Sequence, residues 1–280
     1  MKIGMIGLGI MGEAMCQNIA AKHGDTVYCY DIVPEKRNIP GAVPCETSVD
    51  LARQADVIIS MVPKAEHAWA VYREILPVLD ASKICIDMST IEPQESRKIS
   101  GLVEKTGARF ADAPVVKSRP AAEAGKLGIY VGCAEDLYET ILPILSYMGE
   151  NVIRMGENGA GLVMKICHNA LVSQIQNGVN ETATLAAANG IDILTFAQAI
   201  SYGGGQNFYL DSKKQAIADE NFKTAFSIEN MNKDVHICLK LAEESGVHMP
   251  GEENAVRVYE TAMEKGLGAE DFSATIKVVR

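Results

Sequence analysis

The chain has 280 residues, 48% of them apolar and 22% charged, which excludes a disordered or fibrous protein and allows two domains. Aromatics are only 6%, and Asp plus Glu outnumber Lys plus Arg by 36 to 26, for a net charge of −10. A base-stacking surface is therefore not expected, nor is attraction to nucleic acid or an anionic membrane.

Along the first half, short apolar runs alternate with amphipathic stretches. Strands are expected at Ile3–Ile6, Val27–Tyr30, Val57–Met61, Ile84–Ile86, Phe110–Val115 and Ile129–Val131. Helices are expected between them at Met11–Lys22, Ser48–Gln54, His67–Leu76, Pro93–Lys105 and Leu137–Tyr147. Such alternation predicts βαβ units and a largely parallel, doubly wound sheet, an α/β Rossmann domain. From Ala160 to Asn189 there is no Pro and only two Gly, Gly161 in the first turn and Gly178, which predicts a single helix about 45 Å long. Further helices follow at Ile193–Ile200, Gln206–Ala218, Ile228–Glu244 and Glu252–Lys265, with no strand pattern. A boundary near Glu157 divides an α/β domain (1–157) from an all-helical domain (158–280).

Seven scattered cysteines without a Cys-x-x-Cys spacing fit a reducing cytoplasm and give no zinc site. The five histidines form no metal-spaced pair, so no metal is expected. No run reaches the roughly 18 apolar residues of a membrane span, and the opening residues read as a strand rather than an export signal. A soluble cytoplasmic protein is the expectation.

The first chemical motif is Gly7-Leu8-Gly9-Ile10-Met11-Gly12, a G-x-G-x-x-G that leaves a strand and opens a helix. Asp31 ends the next strand, 19 residues after Gly12. Together these form the context of a dinucleotide fingerprint. Gly7 permits the turn, Gly9 admits the pyrophosphate, and Gly12 allows close helix–strand packing. The helix N-terminus supplies N–H donors. Asp31 can accept from ribose hydroxyls and repel a 2′-phosphate, so NAD is the expected cofactor.

The opening Gly7–Met15 resembles the signature of the β-hydroxyacid dehydrogenase family, which includes 3-hydroxyisobutyrate dehydrogenase and tartronate semialdehyde reductase. Four further motifs resemble that family in order: Asp87-Met88-Ser89-Thr90-Ile91-Glu92-Pro93, Asp112-Ala113-Pro114-Val115, Gly159–Lys165 with Asn169, and Lys233-Asp234. The resemblance implies that Lys165 and Asn169 are catalytic and that Lys233 contacts the cofactor. It puts Thr90 against the nicotinamide or substrate, beside Ser89 as a substrate contact. Val62 and Pro63, after the strand ending at Met61, are expected to line the nicotinamide side. Pairing through the helical domain, as a homodimer or homotetramer, is likewise implied by the resemblance.

Read from the residues alone, Lys165 sits among Leu162, Val163, Met164, Ile166 and Cys167, where desolvation disfavours an ammonium and suits it to proton transfer. Asn169, four residues on, shares its helix face. His168 stands where the family usually has the first Asn of a pair; it is either a partner of the substrate-binding set or packing. The main departure follows Val115. The family commonly continues Ser-Gly-Gly, whereas this chain reads Val116-Lys117-Ser118-Arg119. The two cations either hold a carboxylate or sulfonate head group or lie in a solvated loop.

The expected function is hydride transfer between NAD(H) and a small β-hydroxy acid or its semialdehyde. An imine reductase of the same fold and a non-catalytic NAD(H)-binding redox sensor are the alternatives. The helical part is too short for the decarboxylating 6-phosphogluconate branch, and Lys165 favours alcohol over imine chemistry.

Overall fold

A computed structural model describes residues 1–280. The chain divides into two compact units, Met1–Lys165 and Ile166–Arg280. The expected boundary at 157 falls where the last strand ends, and the compact units part eight residues later, inside the long helix.

The first unit begins β1 (Ile3–Ile6), α1 (Ile10–Lys22), β2 (Val27–Tyr30), β3 (Val43–Pro44), α2 (Ser48–Gln54), β4 (Val57–Ser60) and α3 (Ala65–Ile75). It continues with β5 (Ile84–Asp87), α4 (Pro93–Glu104), β6 (Arg109–Asp112), β7 (Val115–Val116) and α5 (Arg119–Glu123). It closes with β8 (Leu127–Gly132), α6 (Glu135–Leu145) and β9 (Gly149–Gly156). The strands form one sheet in the order β3-β2-β1-β4-β5-β6-β8-β7, with β9 against β8. Strands β3 to β6 of that order pair in parallel, as expected for a Rossmann sheet, while β8 runs antiparallel to β6 and β7.

Strands β1 and β4 are buried on both faces, so they read as continuous apolar runs rather than as alternation. Ile3, Met5, Val57 and Ile59 point into one core with Met15 and Ile19 of α1. Ile6 and Ile58 point into the other with Leu51 of α2 and Tyr72 of α3. Because β2 and β3 lie on one side of β1 and β4 on the other, the order reverses at β1/β4. Doubly wound sheets bind ligands at that point, outside the carboxyl ends of the strands.

One expectation needs correction. Phe110–Val115 is not one strand: Ala113 and Pro114 separate β6 from β7, since Pro has no N–H to continue the ladder. Strands β3 and β9 and the five-residue α5 were not foreseen. Strand β9 carries Glu150, Asn151 and Arg154 and is mostly solvated, so its sequence lacks the period of two.

The second unit is helical, as expected. It continues α7 (Ala160–Ala188), whose 29 residues begin in the first unit, and adds α8 (Ile193–Ile200) and α9 (Phe208–Ala218). The chain ends with α10 (Ile228–Glu244), α11 (Pro250–Glu264) and α12 (Ile276–Val279). Asp192, Asn207 and Ser227 accept first-turn N–H bonds and so fix where α8, α9 and α10 start. Their core is Ile217, Ile228, Met231, Val235, Tyr259 and Ile276. No helix is long and apolar enough to cross a membrane.

Candidate active site

The glycine loop leaves β1 at the switch point, and each glycine there has a distinct reason. Gly7 has φ +91°, and a Cβ would lie 2.3 Å from the Met61 carbonyl oxygen at the end of β4. At Gly12 a Cβ would meet the Gly7 carbonyl at 1.9 Å, so only glycine lets α1 pack on the turn. At Gly9 a Cβ would touch nothing within 4 Å. Gly9 is also the N-cap of α1, with no side chain capping the first turn. Open space above unsatisfied helix N–H groups, rimmed by exposed Ile10 and half-buried Met11, is a cradle suited to a pyrophosphate.

Asp31, nearly buried at the end of β2, accepts from Leu8 N at 2.7 Å and Val33 N at 2.9 Å, one bond to each carboxylate oxygen. It therefore clamps the glycine loop in addition to any contact it makes with a ligand. Leu8, expected as a cofactor contact, gives its N–H to Asp31 and its side chain to the core. Arg37 donates from Nε to the Asp31 carbonyl at 2.7 Å, pairs with Glu46 at 3.2 Å, and lies 4.8 Å from the Tyr30 ring centroid.

The ends of β4 and β5 are joined by a buried polar chain. Tyr72 Oη and Ser60 Oγ share a bond at 2.8 Å, and Ser60 donates to Asp87 Oδ1 at 2.9 Å. Ser89 donates to the same oxygen at 2.6 Å and accepts from Val62 N at 2.9 Å. Ser89, expected as a substrate contact, is fully buried. Its hydroxyl holds the Val62 backbone in place. Burial pushes the Asp87 carboxyl above the usual range despite these bonds. Val62 and Thr90 are half-buried and Pro63 is exposed, all three just beyond these strand ends.

The substituted loop runs from β7 into α5. Val116 is a buried β7 residue paired with Gly128, and its side chain offers no hydrogen bond. Lys117 has φ +74°, the left-handed conformation that glycine adopts most readily, at a position where the family commonly has glycine. Its ammonium donates to the Lys126 carbonyl at 2.8 Å and pairs with Glu150 at 2.9 Å. Ser118 is the N-cap of α5. Arg119 pairs with Glu123 one turn later at 2.7 Å, with both side chains about half exposed. Both cations are thus held by the chain's own carboxylates.

On α7, Lys165 is 7% exposed and Asn169 is 5% exposed, one helical turn apart. His168, between them in sequence, is half-buried. Asn169 Nδ2 donates to Asp234 Oδ2 at 2.6 Å, and Lys233 pairs with Asp234 Oδ1 at 2.9 Å. Asp234, 2% exposed, thereby links two predicted site residues, and sequence reasoning had quoted it without a role.

One turn beyond Asn169, Ser173 donates to the Ala170 carbonyl at 2.7 Å and lies 3.0 Å from Glu252 Oε2. Glu252 is fully buried, and desolvation raises its carboxyl from 4.5 to about 7. Cys238 and Tyr259 are the ionisable groups beside it. The folded protein therefore holds a proton that the unfolded chain releases. Stability from this group is complete below pH 4.5, declines as pH rises to about 7 and is level above. Glu252→Gln should match wild type in Tm at pH 5 and exceed it by several degrees at pH 8, from a ceiling of roughly 3 kcal/mol. Parallel Tm–pH curves for the two proteins would contradict this.

The parallel sheet, the glycine loop and the open first turn of α1 define a dinucleotide-binding unit, and these residues fit a nicotinamide dinucleotide. Residues 2–156 match the NAD binding domain of 6-phosphogluconate dehydrogenase, and residues 159–279 match the NAD-binding domain of NADP-dependent 3-hydroxyisobutyrate dehydrogenase. The chain is 32% identical over 286 residues to 2-(hydroxymethyl)glutarate dehydrogenase of Eubacterium barkeri, covering 99% of this chain and 94% of the relative. It is 29% identical to glyoxylate/succinic semialdehyde reductase 1 of Arabidopsis thaliana, covering 100% and 99%. The solved structure of Mycobacterium tuberculosis 3-hydroxyisobutyrate dehydrogenase with L-serine superposes with a TM-score of 0.92 at 27% identity, covering 100% and 99%. The chain belongs to the β-hydroxyacid dehydrogenase family.

Proposed function

We propose that the protein oxidises a small β-hydroxy acid, or reduces the matching semialdehyde, with Lys165 as general acid/base. The observation that carries this reading is a buried lysine one turn before a buried asparagine, on the helix that follows a dinucleotide-binding sheet. When bound, the nicotinamide supplies the hydride chemistry. Gly9, Ile10 and Met11 hold the pyrophosphate, Asp31 the ribose, Val62, Pro63 and Thr90 the nicotinamide side, and Lys233 supports the cofactor.

Lys165 takes the hydroxyl proton during oxidation and returns it to the carbonyl oxygen during reduction. Asn169, held in place by its bond to Asp234, orients that oxygen. A panel of 3-hydroxyisobutyrate, serine, glycerate, 4-hydroxybutyrate and sulfonated analogues, followed at the NADH absorbance band, tests the reading. Turnover of at least one is expected, and binding of NADH with no turnover of any would leave a sensor instead.

The substrate head group is assigned to Lys117, Ser118 and Arg119, with His168 beside Asn169. The relative from Eubacterium barkeri is named for a hydroxymethyl dicarboxylate, which carries a carboxylate away from the carbinol carbon. Exposed ion pairs such as Arg119–Glu123 are weak and screened by solvent, so an incoming anion can displace Glu123. Arg119→Ala should then cost roughly 10–100-fold in kcat/KM for an anionic substrate and little for a neutral aldehyde of similar size. An equal loss for both at fixed ionic strength would reduce the loop to a structural element.

The thiol state of all seven cysteines supports a cytoplasmic location, and the net charge of −10 supports neither nucleic acid nor membrane as a partner. Exposed Leu171, Leu185, Tyr202 and Phe208 support a homodimer or homotetramer through the helical unit.

A further inference from the structure

Asp112 ends β6, is fully buried, and touches none of the groups given a chemical role above. Its Oδ1 accepts from Gly159 N at 2.6 Å and from Asn158 Nδ2 at 2.9 Å, and its Oδ2 accepts from Leu162 N at 2.9 Å. The Gly159 and Leu162 N–H groups are N-terminal donors of α7, which no residue of the helix itself can satisfy. Two glycines let the turn come this close. A Cβ at Gly161 would lie 2.5 Å from the Tyr130 carbonyl and 2.8 Å from Asp112 Oδ2. A Cβ at Gly132 would lie 2.3 Å from Asp112 Oδ1. Gly159 has φ +89° and is covered by Arg97, which donates to the Asn158 carbonyl at 3.2 Å. Lys165 follows Leu162 by three residues, so its Cα is fixed by the turn that Asp112 grips.

We propose that Asp112 is a positioning residue for Lys165: its carboxylate docks the first turn of α7 on β6 and β8 and so sets where the lysine amine lies. This rests on the reading of Lys165 as the general acid/base. Three donors converge on two oxygens, so only the ionised carboxyl satisfies them all. A proton on Oδ2 would set an O–H against the Leu162 N–H. Burial, with a smaller contribution from Asp87 of β5, nonetheless raises this carboxyl from 3.8 to about 6. Cys133 after β8 and Arg97 of α4 are the other ionisable groups around it. Turnover should therefore fall on an acid limb near pH 6, as the protonated form releases the turn.

Asp112→Asn mimics that form, because its amide N–H group faces the Leu162 N–H. At pH 8 it should lower kcat by roughly 10–100-fold, the cost of misplacing a reacting group by about 1 Å. NADH Kd should stay within threefold, and the acid limb should disappear from the kcat–pH profile. Hydrogen exchange of the 157–166 segment should quicken in this variant whether or not the enzyme turns over. Turnover within threefold of wild type, a parallel loss of NADH affinity, or unchanged exchange would each overturn the proposal. Should Asp112→Asn not fold, Asn158→Ala removes one donor to the carboxylate and should move the acid limb to higher pH. An unmoved limb would equally overturn it. Normal turnover in Lys165→Ala would instead remove the general-acid reading, and the exchange measurement would still judge the docking by Asp112.

Discussion

Lys165→Ala should lose 10²–10⁴-fold in kcat while NADH affinity stays near the wild-type value. That range is the usual contribution of one positioned proton donor or acceptor. The lysine lies between Leu162 and Ile166, both fully buried, so little bulk water is at hand to replace the missing amine. Lys165→Arg separates proton transfer from charge. A guanidinium keeps the positive charge but does not release its proton at working pH, so this variant should be nearly as slow as the alanine. Small primary amines added to Lys165→Ala should restore part of the rate in proportion to the free-base concentration, which repair of packing would not do. Steady-state rates and calorimetric NADH binding on the same preparations decide the matter. Recovery by arginine would mean that charge alone suffices, and near-normal turnover in the alanine variant would move the proton to His168.

What the sequence disclosed depended on whether the signal was local. The glycine loop and Asp31 are legible because their spacing encodes a strand, a turn and a helix in one stretch. The length of α7 is legible because nothing from Ala160 to Asn189 breaks a helix. Strand β9 is not, since an edge strand with exposed Glu150 and Asn151 and a half-buried Arg154 has no apolar period to detect. The roles of Asp112 and Asp234 are not legible for a different reason. Each acts on residues far along the chain, 47 positions from Asp112 to Gly159 and 65 from Asn169 to Asp234. Both had been quoted inside motifs, but a carboxylate's partner is a fact of three dimensions. Ser89 shows the converse: the strand-end position suggested a ligand contact, and only the side-chain direction reveals a hydroxyl spent on Asp87 and Val62.

This double duty of buried carboxylates shapes the prediction for the cofactor. Wild type should use NAD with about 100-fold higher kcat/KM than NADP, equivalent to roughly 2.7 kcal/mol. One unit charge about 4 Å from another contributes up to about 4 kcal/mol near a protein surface, so a single carboxylate facing a 2′-phosphate is sufficient. Asp31→Ser should cut this preference to within a few-fold. It should also lower the absolute efficiency with NAD, because one hydroxyl cannot satisfy both Leu8 N and Val33 N, and the glycine loop loosens. Arg37 survives the change in place, since it donates to the Asp31 carbonyl rather than to the carboxylate. Its other partner, Glu46, is 93% exposed and holds it weakly. Adding Glu46→Ala to Asp31→Ser should therefore free the guanidinium for a 2′-phosphate and tip the double variant towards NADP. Equal efficiency with the two cofactors in wild type would refute the ribose assignment. A double variant that still prefers NAD would show that the Arg37 side chain does not reach the 2′ position.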